Sequence, residues 1–184
     1  MSDFTQYSGT STRIRIDPDV TTIPDGAFEE HGSLEAVALP EGLQMIGSNA
    51  FTENTALHTI NLPEGLLGIG SASFRMCQSL TDIQIPKSVF VIGAEAYSEC
   101  LDLKEVELCK GGNLGVIGAK AFYDCPKLKK ISIHLNRTVP TGDSVGIREQ
   151  TFRACKSLTE VHLSEGVEDI DEEAFRDCTS LLRN

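Results

Sequence analysis

Large apolar residues recur along this chain at a fixed spacing. Ile23, Ile46, Ile69 and Ile92 lie 23 positions apart, with Phe28, Phe51, Phe74 and Tyr97 five residues on and Leu34, Leu57, Leu80 and Leu103 six beyond those. Three columns locked to one period mean one small unit written repeatedly, and repeat architecture then takes precedence over any local reading.

Within each unit a shorter alternation appears: Ile14-x-Ile16, Val37-x-Leu39, Ile60-x-Leu62, Ile83-x-Ile85, Val106-x-Leu108, Ile131-x-Ile133 and Val161-x-Leu163. Period-two spacing of β-branched and leucine side chains predicts a short strand with one buried face. Pro40, Pro63 and Pro86 follow three of these strands, and a residue without an N–H ends a ladder. Pro40-Glu41-Gly42 and Pro63-Glu64-Gly65 predict turns in which glycine is free to take positive φ. A second apolar touch, such as Leu43 with Ile46, leads to Gly47, Gly70, Gly93 or Gly118, where another corner is expected. The small-aromatic pairs Ala27-Phe28 to Ala174-Phe175 come next. The stretch is too short for an α-helix, so one helical or 3₁₀ turn laying the ring into the core is expected.

The few large apolar side chains of one unit cannot offset the ordering of its own backbone. Units must therefore stack into a quasi-one-dimensional solenoid that shares a core and a single parallel strand ladder. Residues 12–184 form this domain in seven repeats ending near Leu34, Leu57, Leu80, Leu103, Leu128, Leu158 and Leu181, preceded by a polar segment, residues 1–11. Ile92 to Ile117 is 25 residues, with the surplus around Lys110-Gly111-Gly112-Asn113, and Ile117 to Ile147 is 30, with the surplus at 136–143. Polar insertions of this kind are expected to bulge as loops without interrupting the stack.

Leu80-Thr81-Asp82-Ile83-Gln84-Ile85-Pro86, then Val89, Ile92-Gly93, Ala96-Tyr97, Cys100 and Leu103, resembles the BspA-type leucine-rich repeat. The opening Arg13-Ile14-Arg15-Ile16-Asp17-Pro18-Asp19-Val20 resembles first repeats in the diatom and protist expansions of that family. The resemblance implies a leucine-rich-repeat solenoid, a right-handed superhelix of strands and tight or 3₁₀ turns with a strand-lined face. It also implies a recognition or adhesion role and brings no catalytic residues. Here Pro-x-Gly follows the strand where commoner leucine-rich repeats have asparagine, and the cysteine precedes the strand.

Sixteen basic and 27 acidic residues give a net charge of −11. That sign disfavours nucleic acid and anionic membrane, which require basic stripes. No secretory signal opens the chain and no apolar run is long enough for membrane insertion, so a cytoplasmic protein is expected. Asn136-Arg137-Thr138 matches a glycosylation acceptor, which would be used on a secretory route. Of six cysteines, Cys77, Cys100, Cys125, Cys155 and Cys178 share one column, with His31 and Asn54 in its earlier copies. A column of small, buried, reduced thiols is favoured over a metal or disulfide stack, and Cys109 is the thiol expected at the surface. His31, His58, His134 and His162 stand in no ligand spacing. Asp169-Ile170-Asp171-Glu172-Glu173 lacks the turn glycine of a calcium loop and is read as solvated charge. No cofactor, metal or catalytic set is expected, and an enzyme is disfavoured.

Surface remains. Residues between the buried strand positions face outward: Arg13 and Arg15, Ala36 and Ala38, Thr59 and Asn61, Asp82 and Gln84, Glu105 and Glu107, Lys130 and Ser132, Glu160 and His162. This strip runs from basic through neutral to acidic and is the candidate interaction face for a protein partner. Phe90, Tyr123 and the loop at 134–145 are the other candidates. An extracellular adhesion segment of a longer protein is the alternative reading. The chain stops at Leu181-Leu182-Arg183-Asn184, where another strand would begin. An uncapped last repeat is then expected, open to end-to-end association.

Overall fold

The computed structural model describes residues 11–108, 110–136, 146–164 and 167–181. These fold into a parallel β-solenoid with no helix among the described residues. Each coil has three sides: a face strand of two to four residues, called long here, a second strand of two residues and an aromatic-bearing turn. The long strands are β1 (Arg13–Arg15), β3 (Ala36–Ala38), β5 (Thr59–Ile60), β7 (Asp82–Ile85), β9 (Glu105–Leu108), β11 (Lys130–Ile133) and β13 (Glu160–Leu163). The two-residue strands are β2 (Thr22–Ile23), β4 (Met45–Ile46), β6 (Gly68–Ile69), β8 (Val91–Ile92), β10 (Val116–Ile117), β12 (Gly146–Ile147) and β14 (Asp169–Ile170).

The expected single ladder is corrected to more than one. The two-residue strands form a continuous seven-stranded sheet from β2 to β14, while the long strands split into β1-β3-β5 and β7-β9-β11-β13. Strands of two residues are too short to show period-two alternation, so the isoleucine column marks buried positions in the sequence without revealing a second sheet. Nothing in the structure explains why the long-strand ladder breaks between β5 and β7.

The aromatic turns also differ from the expected helical or 3₁₀ turn. Tight bonds such as Ala50 N–H to the Gly47 carbonyl and Thr52 N–H to the Asn49 carbonyl close them locally. The remaining N–H groups reach the next coil: those of Gly26, Phe28 and Glu30 donate to the carbonyls of Ser48, Ala50 and Thr52. This requires a left-handed backbone on both sides of the ring, and thirteen non-glycine residues adopt it, among them Glu30, Asn49 and Ala154 at φ 58°, 55° and 63°.

Gly47, Gly70, Gly93 and Gly118, at the expected corners, serve close approach instead of positive φ. Gly42, Gly47, Gly65, Gly70 and Gly93 are absent from the left-handed set. A Cβ on Gly70 would lie 2.6 Å from the Gly47 carbonyl carbon, and one on Gly93 2.5 Å from the Ser71 nitrogen.

The columns converge on one core, with Ile23, Ile46, Ile92, Ile117, Leu34, Leu57, Leu80 and Leu103 fully buried. Seven rings, Phe28, Phe51, Phe74, Tyr97, Phe122, Phe152 and Phe175, stack with centroids 5.1–5.4 Å apart. Burial of such rings dominates core energetics. The cysteine column is buried beside them and its thiols are free. Each donates to the carbonyl of an aromatic residue one coil back, as Cys77 Sγ does to Phe51 and Cys100 Sγ to Phe74 at 3.2 Å. Asn54 makes the same bond through Nδ2 to Phe28, at 2.7 Å. A donor is what the column requires, which accounts for an asparagine at Asn54 where the next five copies have cysteine. Desolvation pushes the Cys77 thiol up to about 12 and that of Cys178 up to about 11, and those of Cys100, Cys125 and Cys155 upward.

Candidate binding face

The strand strip assembles in the expected register. Arg13 lies across from Ala36 and Ala36 from Thr59; Asp82 lies across from Glu105, Glu105 from Lys130 and Lys130 from Glu160. Gln84 faces Glu107, and Ser132 faces His162. Arg13, Arg15, Thr59, Asn61, Asp82, Gln84, Glu105, Glu107, Lys130 and His162 are exposed, and Glu160 is half-buried. The ladder break divides the strip: Thr59 belongs to one sheet, with Asn61 just past its strand, and Asp82 and Gln84 belong to the other.

Three depressions lie along this face. One of about 580 Å³ spreads over β1, β3 and β5, where Ala36 and Ala38 leave a hollow between Arg13, Arg15 and Asn61. A second, of about 390 Å³, sits at the ladder break and is lined by Asn61, Leu62, Asp82, Gln84, Glu105 and Glu107. The third, about 370 Å³, lies over β9 and β11 beside Glu105, Glu107, Lys130 and Ser132.

Charge is organised unevenly along the strip. At its C-terminal end Lys130 Nζ meets Glu160 at 2.6 Å, and His162 Nε2 meets the same carboxylate at 2.6 Å. Lys130 and His162 hold the Glu160 carboxyl below the usual carboxylate range, and Glu160 raises Lys130 in turn. At the other end Arg13 lies 3.8 Å from Glu35. Between them Asp82, Glu105 and Glu107 have no ion-pair partner among the described residues. Asp82 and Glu105 are direct cross-strand neighbours, and like charges so placed repel. Three solvated carboxylates thus border the central depression, an arrangement that suits ammonium or guanidinium groups.

Of the other candidates, Phe90 is exposed, beside the likewise exposed Leu67, whereas Tyr123 is half-buried, a correction to its expected exposure. Cys109, residues 137–145 with most of the 134–145 loop, and residues 1–10 fall outside the described residues, as do Arg137 and Thr138 of the glycosylation motif. Glu173 is less solvated than its acidic run suggests, since Arg153 Nη1 reaches it at 3.0 Å and Arg176 also pairs with it. Among the described residues no three His, Cys, Asp or Glu side chains gather as a metal site.

Stacked parallel coils with a buried aromatic and cysteine column define a leucine-rich-repeat solenoid. The sequence profile of the BspA type leucine rich repeat region matches in six copies, over residues 21–143 and 115–183, and the chain belongs to that family. Among solved structures it is similar to a T. pallidum leucine rich repeat protein, at 31% identity and a TM-score of 0.73, over 82% of this chain and 69% of that one. A leucine-rich repeat protein from Bacteroides ovatus is 29% identical, with a TM-score of 0.51, over 93% of this chain and 65% of that one. A leucine rich cell surface protein from Faecalibacterium prausnitzii shares the fold at 24% identity and a TM-score of 0.55, over 92% of this chain and 58% of that one. No curated protein matches the chain.

Proposed function

We propose that the protein is a non-catalytic recognition scaffold whose long-strand face holds a protein partner through basic side chains. The unpaired carboxylates of Asp82, Glu105 and Glu107 around the depression at the ladder break carry this reading. Membership of a repeat family whose solenoids serve as scaffolds supports it. A cytoplasmic location is part of the proposal, and the column of free thiols supports it because reducing compartments keep thiols unpaired.

The test is capture of partners on immobilised protein followed by charge reversal. Asp82→Lys, Glu105→Lys and Glu107→Lys together are expected to release the captured partner, because like-charge juxtaposition at an interface costs several kcal/mol, about a hundredfold or more in affinity. Reversal of Glu53, on the turn side, serves as the control and is expected to leave capture intact. Retention of every partner by the triple variant would remove the strand-face reading.

A further inference from the structure

The side of the solenoid built on the two-residue strands is free of charge in its middle coils. Residues 43–48, 66–71, 89–94 and 114–119 contain no Asp, Glu, Lys, Arg or His, in a chain where 23% of residues are charged. The repeat does not demand this. In the same register as Met45, Gly68, Val91 and Val116 stand Thr22 in the first coil and Asp169 in the last, so a polar side chain is compatible with the fold there. One residue earlier, Thr21 and Glu168 occupy the positions that Leu67 and Phe90 fill in the middle coils.

Leu67 and Phe90 are 38% and 37% exposed and lie on successive coils, where the Phe90 N–H donates to the Leu67 carbonyl at 2.9 Å. Met45, Val91 and Val116 are half-buried around them. A Cβ on Gly68 would lie 2.7 Å from Met45 Cε and 3.2 Å from Val91 Cγ1, so those side chains close over the glycine and the surface stays level. Four strands about 4.8 Å apart and six residues of about 3.3 Å each give a platform of roughly 400 Å². That is within the range of apolar patches that carry function on soluble proteins.

We propose that this platform is the contact between two copies of the chain, related by a two-fold axis that runs parallel to the strands between β6 and β8. A net charge of −11 holds copies apart, and the other sides carry carboxylates, among them Asp82 and Glu105 on the long-strand face and Glu30 and Glu53 on the turn side. The charge-free platform is where two copies meet without setting carboxylates against each other. The stated axis lays β6 of one copy on β8 of the other and β4 on β10. Leu67 then covers Phe90 and Met45 covers Val116, each twice, as in two sheets packed face to face. A two-fold along the solenoid would instead set the last coil, with Glu168, Asp169 and Glu172, upon its own copy. About 800 Å² buried in total is less than the roughly 1,200 Å² of a stable complex, so the dimer is weak and reversible. The inference is independent of the long-strand face.

Sedimentation equilibrium of the protein from about 10 µM to about 1 mM is the first readout, with a Kd expected on the order of 100 µM. Over the same range the methyl resonances of Met45, Leu67, Val91 and Val116 are expected to shift with concentration, and those of Ala36 and Ala38 to stay fixed. The two-fold sets position 67 of one copy against position 90 of the other, which Leu67→Glu and Phe90→Lys test. Each variant alone is expected to weaken association at least about tenfold, because a charge is then buried against an apolar side chain. An equimolar mixture of the two is expected to recover it to within about tenfold of the parent, since one contact becomes an ion pair and the other stays apolar. Circular dichroism verifies that the variants fold; if either does not, the methyl shifts of the parent decide alone. The proposal is overturned by a parent that keeps the mass of one chain up to about 1 mM, or by methyl shifts confined to another side. Folded variants that associate as the parent does, or that fail to recover on mixing, overturn it equally.

Discussion

The turn side and the long-strand side are cut from the same repeats, yet they answer to different demands. On the turn side seven rings stack without a gap and every step between coils carries the same three backbone bonds. On the long-strand side the ladder breaks between β5 and β7, and unpaired carboxylates stand next to one another. The contrast teaches where the repeat is constrained. Positions that contact the coils before and after them are fixed by packing, and positions that contact only solvent are free to diverge and to bind.

The comparison can be broken from the turn side first, and pH offers the largest effect. Burial raises the column thiols above their ordinary value of 9.0, to about 11 for Cys178 and about 12 for Cys77. A raised thiol contributes stability that is complete below the unfolded value and is lost as pH rises toward the folded one. Each fully buried thiol should therefore cost on the order of 1 kcal/mol per pH unit above 9, and the half-screened Cys178 less, seen as a falling urea midpoint between pH 8 and 11. A flat midpoint over that range would mean that the column is open to water. Phe122→Ala comes next. It removes a fully buried ring from the middle of the stack and is expected to cost about 3–5 kcal/mol in equilibrium unfolding.

Two smaller changes sharpen the contrast in the opposite direction. The Tyr97 hydroxyl is buried without a hydrogen-bond partner among the described residues, and such a group costs about 1–3 kcal/mol. Tyr97→Phe should therefore raise the thermal midpoint; a lowered one would show that the hydroxyl is satisfied. Ala154 sits at φ 63°, where a Cβ costs about 1–2 kcal/mol and glycine gives back about 0.5–1 kcal/mol in the unfolded chain. Ala154→Gly is thus expected to stabilise by up to about 1 kcal/mol, measured by denaturant titration.

Much of this was legible in the residues. Ile46, Phe51 and Leu57 announce the core because a buried position admits few side chains, and Asp82, Glu105 and Glu107 announce the exposed strip because strand alternation fixes which residues face out. The left-handed columns were not legible. Glu30, Met76, Lys120 and Gln150 occupy backbone that favours glycine or asparagine, and only Gly26 and Asn49 carry the usual signature. Inter-coil hydrogen bonds hold those residues there, and a propensity cannot register a bond made to a residue 22 or, for Lys120, 29 positions away. Nor could Gly93 reveal its role, because close approach and a free corner call for the same residue. The ladder break has no sequence signal, although the candidate site is built around it.

The central claim is that the long-strand face is not required by the fold. Equilibrium unfolding of the neutralised triple variant, Asp82→Asn with Glu105→Gln and Glu107→Gln, tests it most directly. The unfolding free energy is expected to stay within about 0.5 kcal/mol of the parent or to rise, since exposed positions away from packing carry little stability and the repulsion between neighbours is relieved. A loss of about 2 kcal/mol or more, the scale of a packing defect, would place these carboxylates among the groups that hold the solenoid together and contradict the account.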